Sequence, residues 1–491
     1  MKKLLLLITA VILALSFTVS AFAEEKENTE YIFWDKEPYT EDETTKIIDH
    51  VVYKLCETED EKYYEVYDWF DTIEATKTVE AINIAPEIDG IRVEKIQSAQ
   101  ISKNEEYRNN HNYIVKSVTI PDTITEIGGG FFTVLDAVEE LVIPASVEKT
   151  GYTDGEFWQR YCFTDMENLR KVTFLGDIYR IGGFNGCKNL ESVILEGDIT
   201  VVDIVAFAGC TSLKTIDLPE SLKSIEHNAF SESGLVSITI PSGVSFNNSY
   251  NDHVFDECRD LEEVIFAGSY KKFLCIPYGA FASCSSLKSV IFPKTCDTLR
   301  IDWWAFNSCF KLENLTLPKK CKSMTIGEEA FVLCKSLKTV TFPSQCDNLN
   351  IGLWAFRECK SLKTVSFPTT ADTVIVGYKA FRGCTSLTNV KNTTHIEKIY
   401  GGAFRGCTSL KSFAISEKTA MIGKNAFYGC KNLKTVTVGC KSTPKIYTDA
   451  FAKTNSALAF TARSKTMATN LKKTLIKSGL KTAKVGYIQY V

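Results

Sequence analysis

Residues 326–343 read I-G-E-E-A-F-V-L-C-K-S-L-K-T-V-T-F-P, and Leu337, Val340 and Phe342 within them keep an L-x-x-L-x-L spacing. Side chains two apart share one face of a strand, so Val340 and Phe342 point inward while Thr339 and Thr341 point out. Pro343 has no amide hydrogen to extend a ladder, and the chain must turn there. Just upstream, Met324 and Ile326 alternate with polar neighbours and predict a second short strand on the opposite wall. A unit this small cannot bury its apolar face alone, so its stability has to come from stacking.

Stacking partners are present along most of the chain. Aligning on Phe331 gives Phe132, Phe163, Phe184, Phe207, Phe230, Phe255, Phe281, Phe306, Phe331, Phe356, Phe381, Phe404, Phe427 and Phe451, mostly 23 or 25 residues apart. The first-strand frame recurs at Leu213/Ile216/Leu218, Leu287/Val290/Phe292, Leu312/Leu315/Leu317 and Leu362/Val365/Phe367. The second recurs at Leu299/Ile301, Leu349/Ile351 and Val374/Val376, and Pro219, Pro241, Pro293, Pro318 and Pro368 repeat the closing proline. The fold expected is a β-rich solenoid of about fourteen coils of 23–26 residues. Each coil supplies two short parallel strands, the first strands line up in a continuous sheet, and both ends are capped.

The recurring pattern A-F-x-x-C-x-x-L-x-x-V-x-x-P…I-G resembles the BspA-type (Treponema-type) leucine-rich repeat over roughly residues 120–455. The resemblance implies a leucine-rich-repeat solenoid exported by a bacterium to its surface or surroundings, adhering to host matrix proteins or to other microbes. It brings no catalytic residues. Departures from the pattern are the longer 25-residue units with an added segment such as Thr295-Cys296-Asp297, and irregular coils around Phe163 and Phe255.

At the N-terminus, Lys2 and Lys3 precede an apolar run from Leu4 to Val19, and Ala21-Phe22-Ala23 is a small-x-small cleavage site. Residues 1–23 therefore read as a signal peptide cleaved after Ala23, leaving Glu24 first and no transmembrane segment in the mature chain. No LPxTG-like sorting pattern is seen near the C-terminus, so release or non-covalent retention at the cell surface is expected. Residues 24–85 lack the period and are rich in acidic and aromatic residues, among them Trp34, Tyr63, Tyr64, Tyr67, Trp69 and Phe70. They read as an N-terminal capping region, with a short helix over Thr45–Leu55 and strands from Tyr64 to Ile84. The solenoid is assigned to residues 86–455. Residues 456–491 read as a C-terminal cap, a basic helix over Lys465–Lys477 followed by a strand from Val485.

The formal net charge of -4 comes from 56 basic and 60 acidic residues, a balance that argues against a nucleic-acid partner, whose footprint is a net basic face. Of 17 cysteines, ten fall three residues after the repeat phenylalanine: Cys187, Cys210, Cys258, Cys284, Cys309, Cys334, Cys359, Cys384, Cys407 and Cys430. Leu135, Met166, Ser233 and Thr454 hold that place in the other coils, so it reads as an interior packing position occupied by reduced thiols. Cys296, Cys321 and Cys346 form a shorter column ending at Ala371. Without a C-x-x-C pair, neither structural zinc nor another cofactor is expected. His50, His111, His227, His253 and His395 are scattered and belong to no catalytic motif. An enzyme would rest only on Cys56 and His50, a remote alternative of a secreted hydrolase using the N-terminal region.

Two surfaces are candidates for binding. Outward first-strand positions carry short hydroxyl and amide groups, including Thr339, Thr341, Thr364 and Ser366, beside a lysine column at Lys214, Lys288, Lys338, Lys363, Lys411 and Lys434. That is ordinary chemistry for a soluble strand face, or a polar, basic-edged platform for an anionic or glycosylated partner. In the turns after the second strand, Trp303, Trp304, Trp354 and Tyr378 stand where neighbouring coils have Glu328, Glu329 and Lys379. They are expected to face solvent and gather into a patch, because exposed rigid aromatics anchor protein or sugar partners. Aromatics half-covered by adjacent coils are the alternative. The function expected is binding of an extracellular protein or glycan without catalysis, with a self-associating envelope protein as the other reading.

Overall fold

The structure, a computed structural model, describes residues 43–49, 51–58, 61–69, 80–98, 115–133, 135, 137–151, 162–246, 252–268, 270–440, 442–480 and 483–487. The chain divides into two compact units, Met1–Glu43 and Thr44–Val491, and all described residues but Glu43 belong to the second. The signal peptide and its cleavage site, Trp34, Phe70, His50 and His111 lie outside the described residues.

The second unit is a parallel β-solenoid. Its second strands hydrogen-bond in register, Leu299 opposite Met324, then Leu349, then Val374, with Ile301, Ile326, Ile351 and Val376 in the next column. An unbroken run of eight such strands extends from Tyr270–Ile276 to Lys445–Ile446. Earlier coils continue the wall from Ile91–Ser98 to Ser245–Phe246. The repeat phenylalanines stack down the interior, with ring centroids 5.2, 5.1 and 5.2 Å apart from Phe306 through Phe331 and Phe356 to Phe381. One core cluster runs from Val51 to Ala483.

Consecutive coils touch through their backbones where the second strand ends. A Cβ on Gly352 would come within 2.9 Å of the Ile326 carbonyl oxygen, which is why the I-G dipeptide recurs. The cysteine position carries more than packing. Each of the ten column thiols donates to the carbonyl of a phenylalanine in the preceding coil, as Cys334 does to Phe306 (3.3 Å) and Cys359 to Phe331 (3.2 Å). Burial pushes the thiols from Cys210 to Cys430 in this column well above the usual range, and Cys430 up to about 12.

Two expectations require correction. The first strands do not form one continuous sheet. They pair in separate groups, broken between Asn314–Thr316 and Thr339–Thr341 and again between Asn389–Lys391 and Ser412–Ile415. The coil at Leu213/Ile216/Leu218 buries Leu213 and Ile216 but forms no strand in that segment. Strands of three or four residues closed by proline make few ladder bonds, so a small change of coil twist is enough to part them.

The other correction concerns Thr45–Leu55, which is no helix. Strands β1 (Thr45–Ile48) and β2 (Val51–Glu57) form an antiparallel hairpin, and Asp49 at its turn has φ 46°. Thr45, Ile47, Ile48, Val51 and Val52 are β-branched, and Val51, Val52 and Tyr53 are fully buried, which favours a pleated surface over a short helix. β2 pairs antiparallel with β3 (Lys62–Trp69), and β3 joins the solenoid parallel to Ile91–Ser98. At the opposite end, helix α1 (Lys465–Lys477) is capped by the Ser464 hydroxyl, which accepts from the Met467 amide (3.2 Å). It buries Met467, Ala468, Leu471 and Leu475, and a final strand, Lys484–Tyr487, pairs with Ala459–Ala462.

Candidate binding surface

Each regular coil passes through left-handed backbone two residues before the repeat phenylalanine. Gly279, Trp304, Glu329, Trp354, Lys379, Gly402 and Asn425 occupy that place with φ between 53° and 66°. Glycine and asparagine suit it, whereas a bulky side chain there costs about 1–2 kcal/mol. Trp304, Glu329, Trp354 and Lys379 are therefore all held against backbone preference.

The aromatic side chains divide into two kinds. Trp303 and Tyr378 are each 54% exposed. Trp304 and Trp354 are half-buried rather than solvent-facing, because the left-handed turn lays each ring along the stack. Trp304 rests 5.4 Å from the Tyr278 ring of the preceding coil, and its indole donates to Glu329 in the next. Trp354 lies under Arg357 (5.5 Å) and Lys379 (4.9 Å). Glu328 and Glu329 occupy the coil between Trp304 and Trp354, so the expected single aromatic patch is interrupted. Tyr378 instead meets Tyr400, at 5.0 Å between rings.

The polar first-strand face is a separate surface on a different segment of the coil. Thr339 stands opposite Thr364 and then Asn389, and Thr341 opposite Ser366 and then Lys391. Lys338, Thr339, Thr341 and Lys363 are exposed, while Thr364 and Ser366 are half-buried. The lysine column is less basic than its spacing implied. Lys288 pairs with Glu262 (2.6 Å), Lys338 pairs with Glu313, and Lys214 pairs with Asp260 (3.0 Å). Coils stack closely enough for a glutamate in one to neutralise a lysine in the next.

Free positive charge is concentrated elsewhere. Residues 357–491 carry 23 lysines and arginines against 5 acidic residues, and residues 1–356 carry 33 against 55. Arg357, Arg382 and Arg405 each follow the repeat phenylalanine in successive coils, with Lys379 beside them. Among the described residues none of the four makes an ion pair with an acidic group within 4.0 Å. Burial first, then Arg382, Arg357 and Arg405, hold the Lys379 ammonium below its usual range; burial, Arg357 and Arg405 do the same to Arg382, with Glu358 opposing. Arg405 and Lys453 lie over the Tyr428 ring, at 4.8 and 5.3 Å. Reasoning from the whole-chain charge missed this cluster, and counting charge coil by coil would have found it.

Cys56 is not prepared for nucleophilic work: burial, then the Glu65 carboxylate, push its thiol up to about 11, so it stays protonated at neutral pH. Among the described residues no group of three or more His, Cys, Asp or Glu is placed to hold a metal ion, and no helix is long and apolar enough to cross a membrane.

Segments covering residues 100–458 match the model of the BspA type leucine rich repeat region, in overlapping stretches at 100–182, 156–251, 248–369 and 324–458. The chain belongs to the BspA-type leucine-rich repeat family. A solved leucine-rich repeat protein from Bacteroides ovatus shares this fold, with 23% identity and a TM-score of 0.51 over 90% of this chain and 99% of that one. A leucine rich cell surface protein from Faecalibacterium prausnitzii is 18% identical, with a TM-score of 0.32 over 93% of this chain and 97% of its own. No curated protein matches the chain. In this BspA-type solenoid the repeat consensus accounts for the interior columns, and the aromatic and basic positions above lie outside it.

Proposed function

We propose that this protein is exported, is released or retained at the cell surface, and binds a macromolecule outside the cell without chemical turnover. The partner class is an extracellular protein or glycan, of a host matrix or of another microbe. The observation carrying this reading is the set of large aromatic side chains at the turns. Trp304 and Trp354 occupy strained left-handed positions where the stack itself would favour glycine or asparagine, and Trp303 and Tyr378 are each 54% exposed. Rigid aromatic area is what binding hot spots are built from.

The test is binding of residues 24–491 to an array of matrix proteins, glycans and bacterial surface polymers, beside Trp303→Ala/Trp304→Ala/Trp354→Ala. A saturable partner lost by the triple variant, with the fold intact by circular dichroism, is the expected result. No partner, together with concentration-dependent self-association in sedimentation, would replace this reading with that of a structural envelope protein.

A further inference from the structure

The arginines following the repeat phenylalanine are not part of the repeat's interior, and they occur in only three of the coils. Asn307 and Val332 hold the same place in the two preceding coils and Tyr428 in the next. Their interval is that of the stack: the phenylalanine rings beneath them are 5.2 Å apart from Phe356 to Phe381 and 5.4 Å from Phe381 to Phe404. Arg357, Arg382 and Arg405 thus leave the stack at one-coil intervals with Lys379 beside them, the Arg357 guanidinium lying over Trp354 of its own coil and that of Arg405 over Tyr428 of the next. In the free protein Glu329 and Glu358 lie near Arg357 and Arg382 without pairing with them within 4.0 Å. The Arg357 Nε is buried without a hydrogen-bond partner, as is the indole Nε1 of Trp354 beneath it. Lys379 holds its place in left-handed backbone (φ 53°), where Gly402 and Asn425 stand in the following coils.

We propose that this arginine ladder binds a sulfated polysaccharide lying along the stack. Fork-shaped donors leaving the stack at even intervals fit a linear polymer with repeating oxyanions better than they fit a protein surface, whose acidic groups have no such period. Sulfate oxygens accept in pairs from each guanidinium. A single-stranded nucleic acid fits less well, because its bases need open aromatic faces. Here cations already cover the rings: Arg357 and Lys379 lie over Trp354, and Arg405 and Lys453 over Tyr428. The inference deepens the adhesion reading and shares its extracellular setting, but it rests on residues other than the exposed Trp303 and Tyr378.

Arg357, Lys379, Arg382 and Arg405 repel one another, an effect that Glu358 beside Arg382 and Glu329 beside Arg357 offset only in part, and a bound polyanion relieves the remainder. The ladder therefore makes two opposite demands on a variant. Arg382→Gln is expected to weaken ligand binding while leaving the thermal midpoint of the free protein unchanged or raised. An arginine kept for packing would lower that midpoint instead.

The experiment measures heparin binding to residues 24–491 by calorimetry and by salt elution from a heparin column. Uncharged dextran and single-stranded DNA serve as competitors. Saturable, salt-sensitive binding is expected, weakened about ten-fold or more in Arg357→Gln/Arg382→Gln/Arg405→Gln, with a shallower salt dependence. Lys322→Gln, which removes a lysine outside both candidate surfaces and already paired with Asp297 (2.9 Å), should behave as the parent. Heparin should raise the melting temperature of the parent and not of the triple variant. Should the triple variant fail to fold, Arg382→Gln alone carries the same comparison. Unchanged affinity in a folded ladder variant, or DNA competing as well as heparin, overturns the proposal. Failure of the array partner with heparin binding retained would reject only the aromatic reading, and Trp303→Ala/Trp304→Ala is expected to leave heparin affinity intact.

Discussion

The thiol of Cys359 shows how a single position carries both the packing and the polar accounting of a coil. It fills a small interior space and gives its hydrogen to the Phe331 carbonyl, so that a buried acceptor is not left to a backbone donor alone. The packing half was legible from Leu135 and Met166 at equivalent places; the hydrogen bond was not, because it depends on which carbonyl the preceding coil presents. Sixteen of the 17 cysteines are buried and Cys56 is partly exposed. A thiol reagent at mildly alkaline pH should therefore label the folded protein at Cys56 or not at all, and every cysteine after denaturation; rapid labelling of several thiols in the native state would contradict this burial. Asp252 is a residue of the opposite kind, a carboxyl 3% exposed whose Oδ1 has no partner. Burial, with Asp302 adding and His253 opposing, pushes it from 3.8 up to about 7. Its folded value is the higher one, so its contribution to stability is complete below the unfolded value and is lost as pH rises through about 7. Asp252→Asn should raise the melting temperature at mildly alkaline pH and change it little at acid pH. An equal shift at both would place the effect in packing rather than ionisation.

Elements were legible where a period spoke for them and misread where none did. Second strands in the 25-residue units repeat apolar pairs such as Leu349/Ile351, and they pair in that register. The N-terminal strands β1 and β2 have no repeat to place them, and a run containing both Lys46 and Lys54 mixes polar and apolar residues in a way that also suits a helix. What decides them is the burial of Val51, Val52 and Tyr53 against β3 and the solenoid, a tertiary fact. The Ala-Phe pair is the most stringent feature of the coil, since Ala403 is fully buried beneath its neighbours. Ala403→Asp should cost several kcal/mol, because an unpaired carboxylate would enter the core. Thr437→Asp, on an exposed strand position, should stay within about 0.5 kcal/mol of the parent. Chemical denaturation of the two variants compares them directly, and equal stabilities would mean that the inward and outward faces are wrongly assigned.

At the scale of the whole second unit, the stack makes stability a property of neighbours. Each coil is held by the two that flank it, and the last one is held by α1 and the strand Lys484–Tyr487. The period of the repeat phenylalanine was sufficient to read this architecture. The charge division was not readable from a net value of -4, since an acidic excess before residue 357 cancels a basic excess after it. For that reason the aromatic turns were singled out from sequence and the arginine ladder beside them was not. Because coupling passes from coil to neighbouring coil, removal of residues 464–491 should uncover Phe460 and Leu458, both now buried, and loosen the end of the stack before its middle. Hydrogen exchange on the truncated chain should rise in the coils around Phe451 and Phe427, fade toward Phe356, and leave amides near Phe306 protected. Uniform loss of protection would mean that the unit unfolds as one block, with its C-terminal cap stabilising every coil alike.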